Sequence, residues 1–526
     1  MPNTRDEIWN QLSQPWDLII IGGGITGAGI LHEATRLGLR ALLVEAHDFA
    51  SGTSSRSSKL VHGGLRYLKN AQIKTTLESV QERERLLRDG KGLITRLGFL
   101  YASLKGDSMP AWVFRAGLVF YDLLARQWSH RAYDAMDVRE LCPPLTTPDL
   151  IGGYRYFDAQ TDDARLVLRV LQTATRAGGF ALNYAHVGGL LRDQGGKVRG
   201  VVVRDLSPGG NRRTAELQAT VVVNAAGPWA DEVRVQIGQP RRLRALRGSH
   251  LVFPAHRLPL TRAVTFLHPK DGRPVMAIPW EGVTIFGTTD VDHGLELQTD
   301  PCISAEEIDY LMSALQKVFP AQELTLSDVQ STWAGIRSVV NTGKANPSQE
   351  SREHVIWLEN GLLTVSGGKL TTFRLMARDA LQTVRDLLPE RKGSPELEGA
   401  DGETLETVQS LGQLPPSAGL RLVGRYHVDA PTLVSAALPG ELSTIPGSPY
   451  LWAELRWAAR AEAVIHLDDL LLRRVRLGLV LTGGGLNEIE QIRAIVQPEL
   501  NWDDVRWEDE VRNYTRLWHR AYSPLA

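Results

Sequence analysis

The stretch Asp17-Leu18-Ile19-Ile20-Ile21-Gly22-Gly23-Gly24-Ile25-Thr26-Gly27 limits the fold more than any other part of the chain. Leu18 to Ile21 is a continuous apolar run suited to a strand buried on both faces, and Ile25 to Leu37 follows with helical composition. Between them Gly22, Gly24 and Gly27 spell G-x-G-x-x-G. The first glycine permits the tight turn, the second lets backbone approach a pyrophosphate, and the third lets helix and strand pack closely. The helix start at Ile25 and Thr26 then faces the anion. A second strand, Ala41 to Val44, ends in Glu45, eighteen residues beyond Gly27, where a carboxylate can accept from ribose hydroxyls. The pattern predicts an α/β, Rossmann-like dinucleotide-binding domain.

Length and charge set further limits. The 526 residues, 43% hydrophobic and 23% charged, leave room for at least one more domain. With 59 basic and 60 acidic residues and no basic-aromatic stripe, nucleic acid is not an expected partner. Cys142 and Cys302 cannot build a disulfide framework or a metal site with histidine, which fits a reducing, cytoplasmic setting. Met1 to Gln14 lacks the apolar segment of a secretory signal, and no apolar run reaches transmembrane length. Any membrane contact is therefore expected to be peripheral.

NAD and FAD both use the glycine fingerprint. The following stretch, Ser51-Gly-Thr53-Ser54-Ser-Arg-Ser-Ser58-Lys59-Leu60-Val-His62-Gly63-Gly64-Leu-Arg66-Tyr67, crowds hydroxyl residues and glycines after the acidic strand end. Such residues let backbone approach a flat, polar-edged ring and its phosphates. This stretch resembles the signature of FAD-dependent glycerol-3-phosphate dehydrogenases, within the wider D-amino acid oxidase-like flavoproteins. Further blocks agree in order: Asp162-Asp163-Ala-Arg-Leu, Asn224-Ala-Ala-Gly-Pro-Trp-Ala, Arg247-Gly-Ser-His250, Ile278-Pro-Trp, Phe286-Gly-Thr-Thr-Asp290, Gly335-Ile-Arg337 and Gly367-Gly-Lys-Leu-Thr-Thr-Phe373. The resemblance implies FAD as cofactor, a Rossmann-like FAD-binding domain, an antiparallel-sheet substrate-binding domain and a C-terminal helical domain.

The blocks also have readings of their own. Val221 to Val223 is a buried strand ending in the small residues Ala225 and Gly227, either an approach to cofactor or plain strand-to-loop packing. The resemblance puts Ala225, Gly227 and Trp229 beside the FAD phosphates and adds Val187 to the cofactor set. Leu363 to Thr372 reads as strand, glycine turn and helix start, whose amides can stabilise negative charge. In the family, Gly368, Lys369, Leu370 and Thr371 face the flavin pyrimidine edge, although Thr371 could instead cap the helix. Thr53, Ser54, Ser58, Lys59, Leu60, His62, Gly63 and Gly64 complete the implied FAD contacts.

For substrate, the resemblance implies sn-glycerol 3-phosphate, oxidised to dihydroxyacetone phosphate by hydride transfer from carbon 2 to flavin N5. Arg66, Arg337 and Lys369 are the candidate phosphate cations, with Arg352 a further one. Tyr67 could hydrogen-bond the phosphate or pack under the flavin. His250, read as standing where the strand Leu251 to Phe253 begins, is the candidate base and is expected to titrate near neutrality; His62 is the lesser alternative. His250, Arg337 and Lys369 form the expected catalytic group. No second glycine turn supports a resident NAD site, so another acceptor takes the electrons. In the family that is a membrane quinone; oxygen, with hydrogen peroxide as product, is the alternative.

Met109 to Arg126 carries few charges around a helix, which fits burial in core or an interfacial patch on a lipid surface. The resemblance implies the latter, on the inner face of the cell membrane. Residues 1–390 read as the oxidoreductase region, with discontinuous FAD and substrate subdomains, 391–403 as a linker rich in glycine and proline, and 404–526 as the helical domain. Within it Trp452 to Val464 and Leu470 to Gly478 show helical spacing with basic faces. Asp468 and Asp469 before Arg473, Arg474 and Arg476 read as pairing within a helix, or as a lid or homodimer contact.

Overall fold

The computed structural model describes residues 4–64, 73–108, 111–125, 129–210, 213–294, 296–297, 300–344, 350–351, 353–391 and 402–524. Arg66, Tyr67 and Arg352, and most of the stretch read as linker, lie outside them. The strand expected at Leu18 begins at Trp16, is buried along its whole length (Trp16–Ile21), and feeds helix Ile25–Arg36. The second strand runs Ala41–Val44, as its apolar composition predicts.

Among the described residues these strands are central in an eight-stranded sheet of order Val355–Glu359, Leu362–Ser366, Thr214–Asn224, Trp16–Ile21, Ala41–Val44, Phe180–Leu182. Leu362–Ser366 through Phe180–Leu182 pair parallel, so five strand ends share one edge. Ligands in such sheets bind beyond that carboxyl edge. Parallel strands need cover on both faces. Leu18 and Ile20 pack on helices Ile25–Arg36, Asp163–Arg176 and Phe373–Thr383. Ile19 and Ile21 face the other way, against Val198, Val201 and Val203 of an antiparallel ribbon.

Among the described residues the second sheet has ten strands and is antiparallel apart from the parallel pair Ala263–Leu267 and Thr95–Leu104. Helix Ala305–Val318 covers one face through Leu311, Leu315 and Val318. Val252, Ile278, Ile285 and Trp333 of the other face join Leu455, Leu471 and Trp518 of the C-terminal helices in one apolar cluster. His250 sits well inside strand Leu243–Pro254, between Gly287 and Trp333 of its neighbours, and not at a strand start as its local sequence suggests.

The C-terminal region is helical, beginning with Gly402–Gly412 inside the range read as linker. Its arginine cluster corrects the expectation of basic faces. Residues 470–474 form a π-helical turn, and Arg473, Arg474 and Arg476 are buried. Arg473 does pair with Asp468 and Asp469, as their spacing suggests, but it also reaches Asp48 at 2.5 Å. Arg474 binds Asp48 at 2.5 and 2.7 Å, and Arg476 binds Asp162 and Asp163 at 3.0 and 3.1 Å. The cluster therefore joins the helical region to the nucleotide-binding unit. Burial acts to raise the Asp48 carboxyl, yet Arg474 and Arg473 hold it at about 2.

Helix Ala111–Ala125 is two-faced. Leu118 and Tyr121 are buried and Phe114 stacks on Tyr101 with ring centroids 3.9 Å apart, while Trp112 and Leu123 are 72% and 60% exposed. No helix among the described residues is long and apolar enough to cross a membrane.

Candidate active site

One cavity of about 2210 Å³ runs from the carboxyl edge of the parallel sheet to the end of the antiparallel one. Pockets for a single drug-sized ligand occupy roughly 300–1,000 Å³, so this one has room for a dinucleotide and a small substrate together.

At the nucleotide end the backbone itself forms the wall. Gly22 has φ +114°, and a Cβ there would lie 2.5 Å from the carbonyl oxygen of Ala225. Gly24, Ile25 and Thr26 line the cavity beside Ala225, Gly227 and Trp229. Gly27 does not line it: a Cβ there would meet the Gly22 carbonyl at 1.9 Å, so this glycine serves helix-to-strand packing. Ile25 N donates to Ser54 Oγ at 3.0 Å, tying the hydroxyl-rich segment to the helix start. The Glu45 carboxylate accepts from Gly23 N and His47 N at 2.7 and 2.8 Å. Burial pushes that carboxyl above its ordinary range despite both bonds. Val187 borders the same end.

Thr53, Ser54, Ser58, Leu60, His62 and Gly64 continue the wall. Lys59 and Gly63 depart from expectation. Lys59 has φ +60°, which turns its fully buried side chain away onto Asp163 at 2.8 Å; burial, with Asp163 opposing and Arg476 assisting, brings the ammonium down to about 7. Gly63 N donates to Asp158, and a Cβ there would overlap the Tyr121 hydroxyl at 2.0 Å. Both belong to the packing behind the wall. The turn Gly367–Gly368, with φ of +73° and +75°, brings Lys369, Leu370 and Thr371 to the cavity. Thr371 Oγ1 accepts from His62 N and donates to His62 O, so it joins two wall segments instead of capping a helix.

At the far end His250, 1% exposed, lies stacked on Trp333 with ring centroids 4.9 Å apart. Its Nε2 is 2.8 Å from Ser58 Oγ, while Nδ1 is buried without a hydrogen bond among the described residues. The imidazole passes over Gly287, where a Cβ would come within 2.7 Å of its ring. Burial, reinforced by Arg337 and Lys59, drives the imidazole well below its usual range. It is thus neutral at physiological pH and does not titrate near neutrality as the sequence suggests. Arg337 donates to Asp290 at 2.8 Å and to Thr288 at 3.1 Å, and Lys369 Nζ donates to Ser79 at 3.2 Å. Sequence reasoning gave no role to Asp290 and did not single out Arg273, which also lines this end.

Glycine-permitted backbone at the sheet edge, an acid at the second strand end, and a chamber continuing to a neutral histidine and fixed cations fit a flavin dinucleotide and define a redox flavoprotein. The chain belongs to the FAD dependent oxidoreductase family, whose model matches residues 17–381, and the C-terminal domain of alpha-glycerophosphate oxidase matches 394–507. It is 36% identical over 520 residues to the aerobic glycerol-3-phosphate dehydrogenase of Staphylococcus haemolyticus, covering 93% of this chain and 91% of that one. It is also 36% identical over 534 residues to glycerol-3-phosphate dehydrogenase 2 of Mycobacterium tuberculosis, covering 98% and 90%. Among solved structures, the glycerol-3-phosphate dehydrogenase of Bacillus halodurans complexed with FAD superposes with a TM-score of 0.78 at 30% identity, covering 98% of this chain and 97% of that chain.

Proposed function

We propose that the chain oxidises sn-glycerol 3-phosphate to dihydroxyacetone phosphate and passes the electrons to a membrane quinone. The observation that carries this reading is the single cavity joining the nucleotide turn at Gly22 to His250, Arg337 and Lys369. When bound, FAD supplies the hydride acceptor. Gly22, Gly24, Glu45 and Ala225 would hold its nucleotide half. Arg337 and Lys369 bind and orient the substrate phosphate, which fixes carbon 2 in the chamber. His250, already neutral, accepts the hydroxyl proton on its imidazole, and Ser58 holds the ring in place.

Helix Ala111–Ala125 supports the choice of acceptor. Val113, Phe114 and Gly117 line the cavity, while Trp112, Phe120 and Leu123 are exposed on the outside. An apolar outer face on a cavity wall suits an enzyme lying on the cytoplasmic face of a lipid leaflet and serving a lipid-soluble acceptor. The test is anaerobic addition of glycerol 3-phosphate to the FAD-loaded protein. Bleaching of the flavin band, recovered on adding a quinone analogue, is expected. Absence of bleaching would overturn the substrate, and stoichiometric peroxide in air without quinone turnover would turn the reading to an oxidase.

A further inference from the structure

Arg337, the expected phosphate ligand, does not face the cavity as an uncompensated charge. Its Nη1 donates to Asp290 Oδ1 at 2.8 Å, and the Asp290 side chain is fully buried. A one-to-one pair of this kind has no net charge to set against a phosphate monoester, which carries roughly −1.5 to −2 at pH 7. The other Asp290 oxygen is shared: Arg273 Nη2 stands 3.6 Å from Oδ2. Both arginine side chains are 25% exposed, and both line the cavity. One buried carboxylate thus holds two guanidinium groups on one wall, and the trio keeps a net positive charge. Cavity-lining Arg56 and Arg241 are instead taken up by Asp300 and Glu232.

Hydrogen bonds also fix the backbone of Arg273. It closes a turn in which its carbonyl accepts from His268 N at 2.7 Å and its N donates to Asp271 at 3.1 Å. Asp271, on the same turn, also accepts from the Tyr310 hydroxyl at 3.0 Å. On the other side Arg337 lies over Gly248, where a Cβ would meet Nη2 at 2.2 Å. Both guanidinium groups are therefore held before substrate arrives.

We propose that Arg273 is a further phosphate-recognition residue of the active site, positioned together with Arg337 by the shared carboxylate of Asp290. The inference rests on the proposed oxidation of glycerol 3-phosphate and adds a specificity determinant to it: the site selects a dianionic monoester over an uncharged polyol through paired guanidinium groups.

The test uses the FAD-loaded full chain, with inorganic phosphate and glycerol 3-phosphate as separate probes. Binding is read from the flavin difference spectrum and turnover from quinone-analogue reduction. Arg273→Gln is expected to raise the Kd for inorganic phosphate and the KM for glycerol 3-phosphate about tenfold or more, at unchanged FAD content, with Arg273→Lys recovering part of the loss. Asp290→Asn adds a net positive charge, so charge alone predicts tighter phosphate; positioning predicts weaker binding, and tighter binding would overturn the role given to Asp290. Unchanged phosphate affinity in Arg273→Gln and Arg273→Lys at normal FAD content overturns the proposal and leaves the oxidation reading intact. Conversely, if glycerol 3-phosphate fails to bleach the unmodified protein while phosphate affinity still follows Arg273, the anion site stands and the assigned reaction falls.

Discussion

At His250 burial and charge push in the same direction. Desolvation and the nearby Arg337 and Lys59 all disfavour the imidazolium, so the proton acceptor is vacant without any prior deprotonation step. If it is the base, the imidazole should add no limb to kcat/KM as pH falls from about 8 to 6.5, where the substrate phosphate and the Lys59 ammonium change charge, and a further limb should lie below 6.5. His250→Asn should abolish that limb and slow anaerobic flavin bleaching about a hundredfold or more, measured by stopped flow across pH. A near-normal rate with the limb retained would make His250 structural. The roles legible from sequence at this scale were those carried by local order. His250 and Arg337 stand in short glycine-bearing blocks; Gly248 of the first lies under the Arg337 guanidinium, while His250 crosses Gly287 of another block. Arg273 was not legible, because its meaning depends on a turn that returns it to Asp290. The Lys59 side chain leaves the wall for a related reason, since a left-handed backbone and the distant Asp163 decide where it goes.

Among the elements, the nucleotide turn shows how a strand end and a loop share one space. Gly22 has a positive φ and no clearance from Ala225, whose carbonyl belongs to backbone that cannot move aside as a flexible side chain could. Gly22→Ala should therefore cost about 1–3 kcal/mol in strain and lose FAD on purification, read as a lower melting temperature and a low ratio of flavin to protein absorbance. Full FAD occupancy would show that the turn tolerates a side chain. Helix Ala111–Ala125 makes a separable prediction. Leu123 is exposed, so Leu123→Glu should leave FAD content and soluble quinone-analogue turnover unchanged while reducing cosedimentation with anionic lipid vesicles several-fold. Equal cosedimentation would remove this face from the membrane contact. The composition of this helix indicated low charge all round, but only packing distinguishes its inward face at Leu118 from its outward one at Trp112.

At the scale of the molecule, a buried cluster of charges joins regions that composition separates. Asp48 is fully buried under Arg473 and Arg474, and removing one partner of such a cluster leaves charges buried and unpaired. Asp48→Asn should cost about 3–5 kcal/mol and lower the thermal midpoint, an outcome a calorimetric scan would contradict if the two proteins melted together. The pH dependence has a definite sign. Because the folded-state carboxyl sits at about 2 against an ordinary 3.8, its contribution is fully present above 3.8 and is lost as pH falls toward 2. The order of domains was legible because glycine and proline punctuate the chain after Pro389, whereas the bond between them was not, since Asp48 and Arg474 are far apart in sequence. A covalent boundary here is not an energetic one. With Asp48, Asp162 and Asp163 all capped from the C-terminal side, a chain severed anywhere in 392–401 has reason to stay together as a nicked whole, eluting as one species with its flavin. The two pieces, made separately and mixed, become candidates for fragment complementation, in which the recovery of yellow colour would itself report that the halves had found each other.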